Sequence, residues 1–322
     1  MPDAELSDFE LSRELCSSSD RKLYDAQWKS DGRRVLLTVF TPEVSQLAEF
    51  RRGLKTDRAM LAMLQHQSVS RFFGAGESDG TLFLWSEFCD FPTIKDHLQE
   101  GREFSADDII EIGWQICSAL QQAHNLGLSH GGLSTDTVRI SDNLQVTVTD
   151  FGVARWLDAA RTADPQSASG PALITVRALA SREQVEKDLG DLTALLKVLV
   201  DRLHDEPPES RSVSRALLER MLTRFLNDGQ PQLPVTAREF QGRLGEILIG
   251  NEEVMPLVDE RKSVGTSRRS IVVELFEPRE SLSSDDEISV TPAGSAARMQ
   301  ILPIAVGVAL VALITLIAVL LW

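Results

Sequence analysis

Hydrophobic and polar residues alternate in the first part of the chain and recur at helical spacing in the second part. The alternation predicts a meander of three strands over residues 9–40, with a turn at Ser30-Asp31-Gly32. Two further strands are predicted at Val69–Gly74 and Thr81–Phe88, and the residues between them, Glu77-Ser78-Asp79-Gly80, are typical of a hairpin turn.

Helical spacing of apolar residues predicts further elements between and after these strands. The helices cover residues 43–65, Ala106 to Leu126, Leu189–Leu203, Ser214–Leu226 and a segment after Thr236. Strands that come first and helices that follow indicate an α+β fold with two lobes.

The chain ends in a run without a charged residue, Ile301–Trp322. At about 1.5 Å rise per residue, a helix of this length measures about 33 Å, which is enough to cross a hydrocarbon core of about 30 Å. A membrane-spanning helix is therefore predicted for residues 300–322, with a buried core helix as the alternative. This prediction makes the lipid bilayer a partner through residues 301–322 and places the preceding domain in the cytoplasm, as a single-pass protein with a C-terminal anchor.

Residues 248–299 differ in composition from the residues that precede them. Serine and charged residues dominate, and six basic and six acidic residues cancel between Arg261 and Arg298. A flexible juxtamembrane linker is the preferred interpretation. The apolar stretch Ile271–Phe276 could instead dock as a strand on a partner.

Three serines of this linker have the sequence context of phosphorylation sites. Ser270 follows two arginines, a form that basophilic kinases prefer, whereas Ser283 and Ser284 precede an acidic run, a form that acidophilic kinases prefer. Each phosphate would add about −1.5 to −2 charges. The linker is therefore predicted to be a substrate of other enzymes.

Composition narrows the class of protein. The 33 Lys and Arg residues against 48 Asp and Glu residues give a formal net charge of −15, which argues against a nucleic-acid partner. The 3 cysteines are an odd number without metal-ligand spacing, so a disulfide framework is excluded and a reducing compartment is expected. Cys117, Trp114 and Trp156 are interpreted as packing residues of the core or of the lobe interface. The acidic start of the chain has no apolar stretch, so no N-terminal signal peptide is predicted.

Two motifs in the middle of the chain resemble the centre of a protein kinase. Asp150-Phe151-Gly152 follows an alternating run, and His130-Gly131-Gly132-Leu133-Ser134 lies about 20 residues before it. Their order and spacing resemble a catalytic loop, a short hairpin and the magnesium-binding Asp-Phe-Gly of bacterial Ser/Thr protein kinases. The resemblance covers residues 9–247. It implies a small β-rich N-lobe and a helical C-lobe, with ATP and Mg²⁺ as the cofactors of active members.

Other segments fall into the same order along the chain. They resemble the glycine-rich loop, the Val-Ala-Ile-Lys strand, the hinge, the Ala-Pro-Glu motif and the helix F aspartate, at Cys16–Arg21, Val35–Thr38, Glu87–Cys89, Ser181–Glu183 and Asp191. The helix that ends before His66 resembles helix C.

The residues that bind nucleotide in the family are altered here. The glycine positions of the phosphate loop are Cys16, Ser18 and Arg21, whose side chains stand where the backbone must approach phosphate closely. The strand lysine is Thr38, and its helix C partner is Asp57, which is therefore expected to lack a partner.

The adenine pocket is altered as well. Leu36 replaces its alanine and is expected to fill space that the base needs. Leu23, Glu87 and Cys89 are the other positions that would line a nucleotide, so nucleotide binding is doubtful.

The catalytic loop departs further from the pattern. Its aspartate is Gly132, its lysine is Ser134 and its metal-binding asparagine is Thr137. A glycine cannot accept the substrate proton, a contribution typically worth about 10²–10⁴ in rate. His130 remains, but this histidine braces the loop in the family. Asp150 is the remaining metal-binding position; it could bind a cation, although a hydrogen bond to local backbone is the favoured interpretation.

These losses together predict a pseudokinase that uses no cofactor. It would act as a scaffold or an allosteric regulator of a protein partner, which could be an active kinase. The alternative is a weak, divergent Ser/Thr kinase or a nucleotide-binding switch that relies on Asp150 and uses ATP and Mg²⁺. A third interpretation makes the anchor primary and the domain a borrowed fold in membrane assembly.

Overall fold

A computed structural model gives the arrangement of residues 4–162, 179–203, 213–226 and 234–249. All of them belong to the first of two compact units, Met1–Val258. The predicted anchor and the three predicted phosphorylation sites lie outside the described residues. Within these ranges, no helix is both long enough and apolar enough to cross a membrane.

The first lobe is built on an antiparallel sheet of five strands. In chain order they are β1 (Phe9–Ser17), β2 (Arg21–Trp28), β3 (Arg33–Phe40), β4 (Phe72–Ser78) and β5 (Thr81–Glu87). Their spatial order is β1-β2-β3-β5-β4. The meander predicted for residues 9–40 is confirmed.

The predicted hairpin turn between β4 and β5 is also confirmed. Ser78 pairs with Thr81, and the two residues between them have positive φ angles of 49° at Asp79 and 76° at Gly80. Two successive residues of this conformation form the type of turn whose twist matches that of the flanking strands.

Helices fill the rest of the described chain. They are α1 (Pro42–Gln46), α2 (Ala48–Met63), α3 (Ile94–Gln99), α4 (Ala106–Asn125), α5 (Val153–Thr162), α6 (Arg182–Val200), α7 (Val213–Leu226) and α8 (Ala237–Leu248), with a hairpin of β6 (Val138–Ile140) and β7 (Val146–Val148) after α4. The predicted helix over residues 43–65 is thus two helices that meet at Leu47.

Helix α4 forms the centre of the second lobe. A capping box at Ser105 and Asp108 starts the helix by satisfying amides that have no helical partner. One face of α4 is buried against α6, α7 and α8. Cys117 on this face is fully buried, as predicted, whereas Trp114 is 39% exposed, so its assignment to the core is wrong. Trp114 falls on the opposite face of the helix.

Candidate functional site

The candidate site lies where the β1–β2 turn, α2, the catalytic-type loop and the start of α5 meet. Asp150 ends the segment after β7 with a left-handed backbone, at φ 66°. Its carboxylate Oδ2 accepts a hydrogen bond from Nη2 of Arg21 at 2.7 Å. The preferred prediction, a bond from Asp150 to local backbone, is wrong. The partner is a cationic side chain 129 residues away in the sequence.

Arg21 stands at the third glycine position of the family's phosphate loop. Its side chain reaches Asp150 because the turn that carries it is held against the second lobe. Asp20, the preceding residue, accepts two hydrogen bonds from Nη2 of Arg161 in α5, at 2.8 and 3.0 Å. Two adjacent residues of the turn therefore bind two segments of the second lobe.

Three amides of this turn donate to acceptors within the turn itself. The backbone N–H of Ser18 donates to the carbonyl of Arg21 at 2.9 Å. The N–H groups of Asp20 and Arg21 in turn donate to the Ser18 hydroxyl, at 3.4 and 3.2 Å. Backbone N–H groups are what a phosphate-binding loop offers to its ligand. In this turn these three are occupied by other acceptors.

The position of the strand lysine lies inside the N-lobe. Thr38 on β3 is completely buried, and its hydroxyl has no hydrogen-bond partner among the described residues. Leu36, two residues earlier, is 4% exposed and packs as a core residue. The nearby predicted positions are more open, with Glu87 exposed and Leu23 and Cys89 half-buried.

Asp57 on α2, at the helix C glutamate position, has two partners on α5. Its side chain is 8% exposed and accepts hydrogen bonds from Nη2 of Arg155 and, at 2.7 Å, from Nε1 of Trp156. The expectation that Asp57 lacks a partner is therefore wrong. It rested on the missing strand lysine and did not include α5. The Trp156 ring also meets Phe50 of α2 edge-on, with 5.8 Å between the ring centroids.

Glycines allow α5 to come this close. A Cβ added at Gly53 of α2 would lie 2.4 Å from Cδ1 of Trp156, and one at Gly152 would lie 2.8 Å from the same ring. In the catalytic-type loop, a Cβ at Gly132 would lie 2.4 Å from that of Ala154. Helix α5 therefore packs so closely against the catalytic-type loop that a side chain at position 132 would overlap Ala154.

Asp188 of α6 holds the catalytic-type loop by accepting hydrogen bonds from its backbone. This buried carboxylate accepts hydrogen bonds from the backbone N–H groups of His130 and Gly131, at 2.9 and 2.7 Å. It also lies 2.8 Å from Nε2 of His124. The residue predicted for this position, Asp191, instead pairs with Lys187 at 3.1 Å, so that prediction is wrong by about one helical turn.

Burial shifts the pKa values of Asp188 and His130 in opposite directions. Burial raises the pKa of Asp188, but the hydrogen bonds from His124 and from the Gly131 amide outweigh it, so the pKa is lowered overall. Burial lowers the pKa of His130, whose Nε2 lies 2.8 Å from the carbonyl of Thr149. His130 therefore has a bracing role, as predicted for a residue that supports the loop.

The remaining loop positions bind their own neighbours. The hydroxyl of Thr137 donates to the carbonyl of Ser134 at 3.1 Å and accepts from its amide at 2.9 Å. Asp136, the only carboxylate nearby in the loop sequence, pairs with Lys95 at 2.8 Å. In the described ranges no three His, Cys, Asp or Glu side chains are grouped to hold a metal ion. The residues present do not fit the family's magnesium site.

Comparison with known proteins identifies the family. A family model described as protein tyrosine and serine/threonine kinase matches residues 6–182, more than half of the chain. The chain is 26% identical over 150 residues to a probable serine/threonine-protein kinase of Clostridium perfringens, covering 47% of this chain and 22% of that protein. It is 26% identical over 185 residues to serine/threonine-protein kinase PknA of Mycobacterium tuberculosis, covering 56% of this chain and 42% of PknA.

The chain thus spans less than half the length of these two relatives. Among solved structures, the PknI kinase domain of Mycobacterium tuberculosis superposes with a TM-score of 0.57 at 21% identity, covering 75% of this chain and 96% of that domain. This likeness shows that the two-lobed kinase fold is shared. The chain therefore belongs to the protein tyrosine and serine/threonine kinase family.

Proposed function

We propose that this chain is a pseudokinase, a kinase fold retained as a protein-binding module that does not transfer phosphate. The observation that carries the proposal is the 2.7 Å ion pair between Arg21 and Asp150. In active kinases this aspartate holds Mg²⁺. Here a guanidinium that belongs to the chain neutralises it, and the side chain of Asp150 is only 11% exposed.

Two further features oppose nucleotide binding. Phosphate would meet no strand lysine, because Thr38 is buried and uncharged, and the amides of Ser18, Asp20 and Arg21 in the turn are already hydrogen-bonded. The adenine position is occupied by Leu36, which is itself part of the core. A nucleotide would have to displace internal contacts of the protein at each of these places.

Helix α5 supports a binding role. It lies against α2 and the glycines of the catalytic-type loop, and this arrangement leaves the N-lobe and the second lobe joined by three ion pairs, Asp20–Arg161, Arg21–Asp150 and Asp57–Arg155. A domain held in one arrangement presents a constant surface to a protein partner, such as an active kinase. Preorganisation of this kind lowers the entropic cost of binding.

The proposal also includes the attachment of the chain to a membrane. Residues 301–322 would anchor the module in a bilayer, and residues 248–299 would connect the two on the cytoplasmic side. Membrane fractionation of cells that express the full chain, followed by alkaline carbonate extraction, tests this. The chain should stay in the membrane pellet, and a variant that lacks residues 301–322 should move to the supernatant.

The decisive experiment measures nucleotide binding and phosphate transfer with the full chain in detergent. A ligand at about 100 times its Kd stabilises a protein by about 2.7 kcal/mol, or about 5–11 °C for a domain of this size. We expect a shift below 1 °C with millimolar ATP and Mg²⁺, and no incorporation of labelled phosphate. A shift of several degrees that is lost in Asp150→Ala would support the alternative, a nucleotide-binding switch that relies on Asp150.

The variant Arg21→Gly tests whether Arg21 is what keeps a metal ion from binding Asp150. If Arg21 blocks the metal, this variant should bind Mg²⁺ or Mn²⁺ more strongly than the unmodified chain. A matched control is Arg161→Gly, which removes the neighbouring ion pair to Asp20 but leaves Arg21 on Asp150.

A further inference from the structure

A cleft walled by arginine side chains lies at one end of the N-lobe sheet, where β3 and β4 begin and β5 ends. This cleft, here called the arginine cleft, lies between Arg33, Arg34, Arg71, Phe73 and Phe88 and has a volume of ≈ 420 Å³. Sites for small ligands have volumes of about 300–1,000 Å³. The arginine cleft is therefore large enough to take up a group from a partner.

Phe73 enters the cleft from an irregularity in the pairing of β4 with β5. Phe72 pairs with Ser86 and Gly74 pairs with Trp85, so Phe73 is an extra residue between two paired positions of β4. An extra residue of this kind is a β-bulge, which changes the direction in which a side chain points. The Phe73 ring is half-buried and remains open to contacts from neighbouring side chains.

Two guanidinium groups share the Phe73 ring. The Cζ atoms of Arg33 and Arg71 lie 4.9 and 5.9 Å from its centroid, within the range of a cation–π contact. Both arginines are exposed. Arg33 pairs with Asp31 at 3.1 Å, whereas the Arg71 guanidinium forms no ion pair within the described ranges. Two positive charges beside one ring repel each other, so an anion placed between them would be attracted by both.

Arg34 differs from these two arginines because its hydrogen-bonding groups are already used. It donates two hydrogen bonds to Asp25, at 2.8 and 2.9 Å, and one to Asp90 at 2.9 Å. Its Cζ atom also lies 3.8 Å from the centroid of the Phe88 ring. Arg34 and Phe88 thus form a fixed wall of the cleft, and Arg33 and Arg71 are left to bind a ligand.

Carboxylates at the cleft limit the kind of anion that fits. Asp90 lines the cleft, and so does the exposed Glu87, whose Oε2 accepts a 3.4 Å hydrogen bond from the Arg71 amide. A membrane surface or a nucleic acid carries negative charge over a large area and would meet both carboxylates. A single phosphate needs to approach only Arg33 and Arg71.

We propose that the arginine cleft binds one phosphorylated side chain of a partner protein, with its phosphate between Arg33 and Arg71. A phosphate on a side chain carries about −1.5 to −2 charges, which matches two guanidinium groups. Its oxygens accept pairs of hydrogen bonds from the planar guanidinium. A carboxylate carries one charge only, and that of Asp31 already pairs with Arg33. The proposal does not depend on whether the domain transfers phosphate.

Binding of labelled peptides to the full chain in detergent tests the proposal. The probes are four fluorescent peptide pools of one design, with random uncharged residues on both sides of a central phosphoserine, phosphotyrosine, serine or glutamate. Fluorescence anisotropy gives a Kd for each pool. We expect at least one phosphorylated pool to bind about tenfold more tightly than the serine and glutamate pools, the effect of one charged hydrogen bond. High salt should weaken this binding, because exposed charges are screened.

Three variants locate the bound phosphate. Arg71→Gln should weaken binding of the phosphorylated pool about tenfold, whereas Glu87→Gln should strengthen it, because a negative charge beside Arg71 is removed. The matched control is Arg243→Gln in the second lobe. Arg243 also lies over a ring, 5.8 Å from the centroid of Phe225, and pairs with Glu239 at 3.0 Å. This variant should bind like the unmodified chain, and near-ultraviolet circular dichroism should show an intact fold in all three.

Three results would overturn the proposal. The first is equal binding of the phosphorylated pools and the serine or glutamate pool. The second is binding of phosphopeptide that Arg71→Gln leaves unchanged, which would place the phosphate elsewhere on the chain. The third is binding to mixed micelles that contain an anionic phospholipid, lost in Arg71→Gln, together with no binding of any peptide pool. That result would make a membrane surface the ligand of the arginine cleft.

Discussion

The contact between Asp57 on α2 and the α5 residues Arg155 and Trp156 can be tested by removing the carboxylate. Asp57→Ala leaves the indole N–H of Trp156 and the guanidinium of Arg155 without their acceptor. The Asp57 side chain is 8% exposed and that of Arg155 is 21% exposed. Water can therefore replace the lost partner only in part. Nε of Arg155 already lacks a hydrogen-bond partner in the described structure.

The expected loss of stability follows from the two partners of Asp57, which are Arg155 and Trp156. A hydrogen bond to a charged group contributes about 1.5–3 kcal/mol. Breaking a fully buried ion pair costs about 3–5 kcal/mol, and the partial exposure of Arg155 lowers that range. We expect Asp57→Ala to lower the free energy of unfolding by about 3 kcal/mol. For a domain of this size, that equals a decrease in Tm of about 6–12 °C.

Glu49→Ala is the matched control on the same helix. Glu49 pairs with Arg52 at 3.0 Å across one turn of α2, and both side chains are more exposed than Asp57. Such a surface pair is worth about 0.2–1 kcal/mol. Thermal unfolding of the full chain in detergent, followed by near-ultraviolet circular dichroism, compares the two variants with the unmodified chain.

Hydrogen exchange adds a local readout, since amides of α5 should exchange faster in Asp57→Ala. Equal Tm values for Asp57→Ala and Glu49→Ala, with α5 protection unchanged, would show that the α2–α5 contact does not stabilise the domain. In Asp57→Asn the side-chain carbonyl can still accept from Trp156, so this variant should lose less stability than Asp57→Ala.

Four other substitutions and a change of pH have defined outcomes in the same unfolding assay. Gly132→Asp should lower stability by about 1–3 kcal/mol because its Cβ would lie 2.4 Å from that of Ala154; Gly190→Ala, where nothing lies within 4 Å, should raise stability by about 0.5–1 kcal/mol. Thr38→Val should raise stability by about 1 kcal/mol, since it removes a buried hydroxyl without a partner, and a lower Tm would contradict this. Burial lowers the pKa of His130 from 6.5, so the unfolded chain binds a proton first and stability should fall as the pH drops below 6.5; His130→Gln should flatten this slope, and an unchanged slope would contradict the assignment.

Much of the fold could be predicted because its signals are local. The period of apolar residues located α4 to within one residue, from Ala106 to Asn125. The Asp79-Gly80 pair determined the hairpin because both residues tolerate positive φ. The spacing between His130 and Asp150 identified the family, since two weak motifs in a fixed order are specific together.

The contacts of the candidate site could not be predicted in this way because they join distant parts of the chain. Arg21 and Asp150 are 129 residues apart, and Asp57 and Trp156 are 99 residues apart. Local periodicity of the sequence predicts neither pairing. It does indicate helix α5 itself, because Val153, Trp156, Leu157 and Ala160 follow the helical spacing of i, i+3, i+4 and i+7.

The error at Asp191 has a different origin. Asp188 and Asp191 are three residues apart on one helix and so lie near the same face. Alignment by motif order alone does not show which of the two aspartates holds the loop. Their burial distinguishes them, because Asp188 is completely buried whereas the Asp191 side chain is 28% exposed. A buried carboxylate requires hydrogen bonds, and the two loop amides supply them.

Residues that differ from the kinase pattern also form or permit contacts between the two lobes. Glycine stands at position 132, where the resemblance places the catalytic aspartate, and makes room for Ala154 of α5. Arginine at position 21 removes a phosphate-loop glycine and supplies the partner of Asp150. Without a strand lysine, Asp57 is free to bind α5. Since each loss coincides with a new contact, a single reversion would remove a stabilising contact before it restored any chemistry. Under the proposed function, the stability of the fold itself would therefore favour the inactive arrangement.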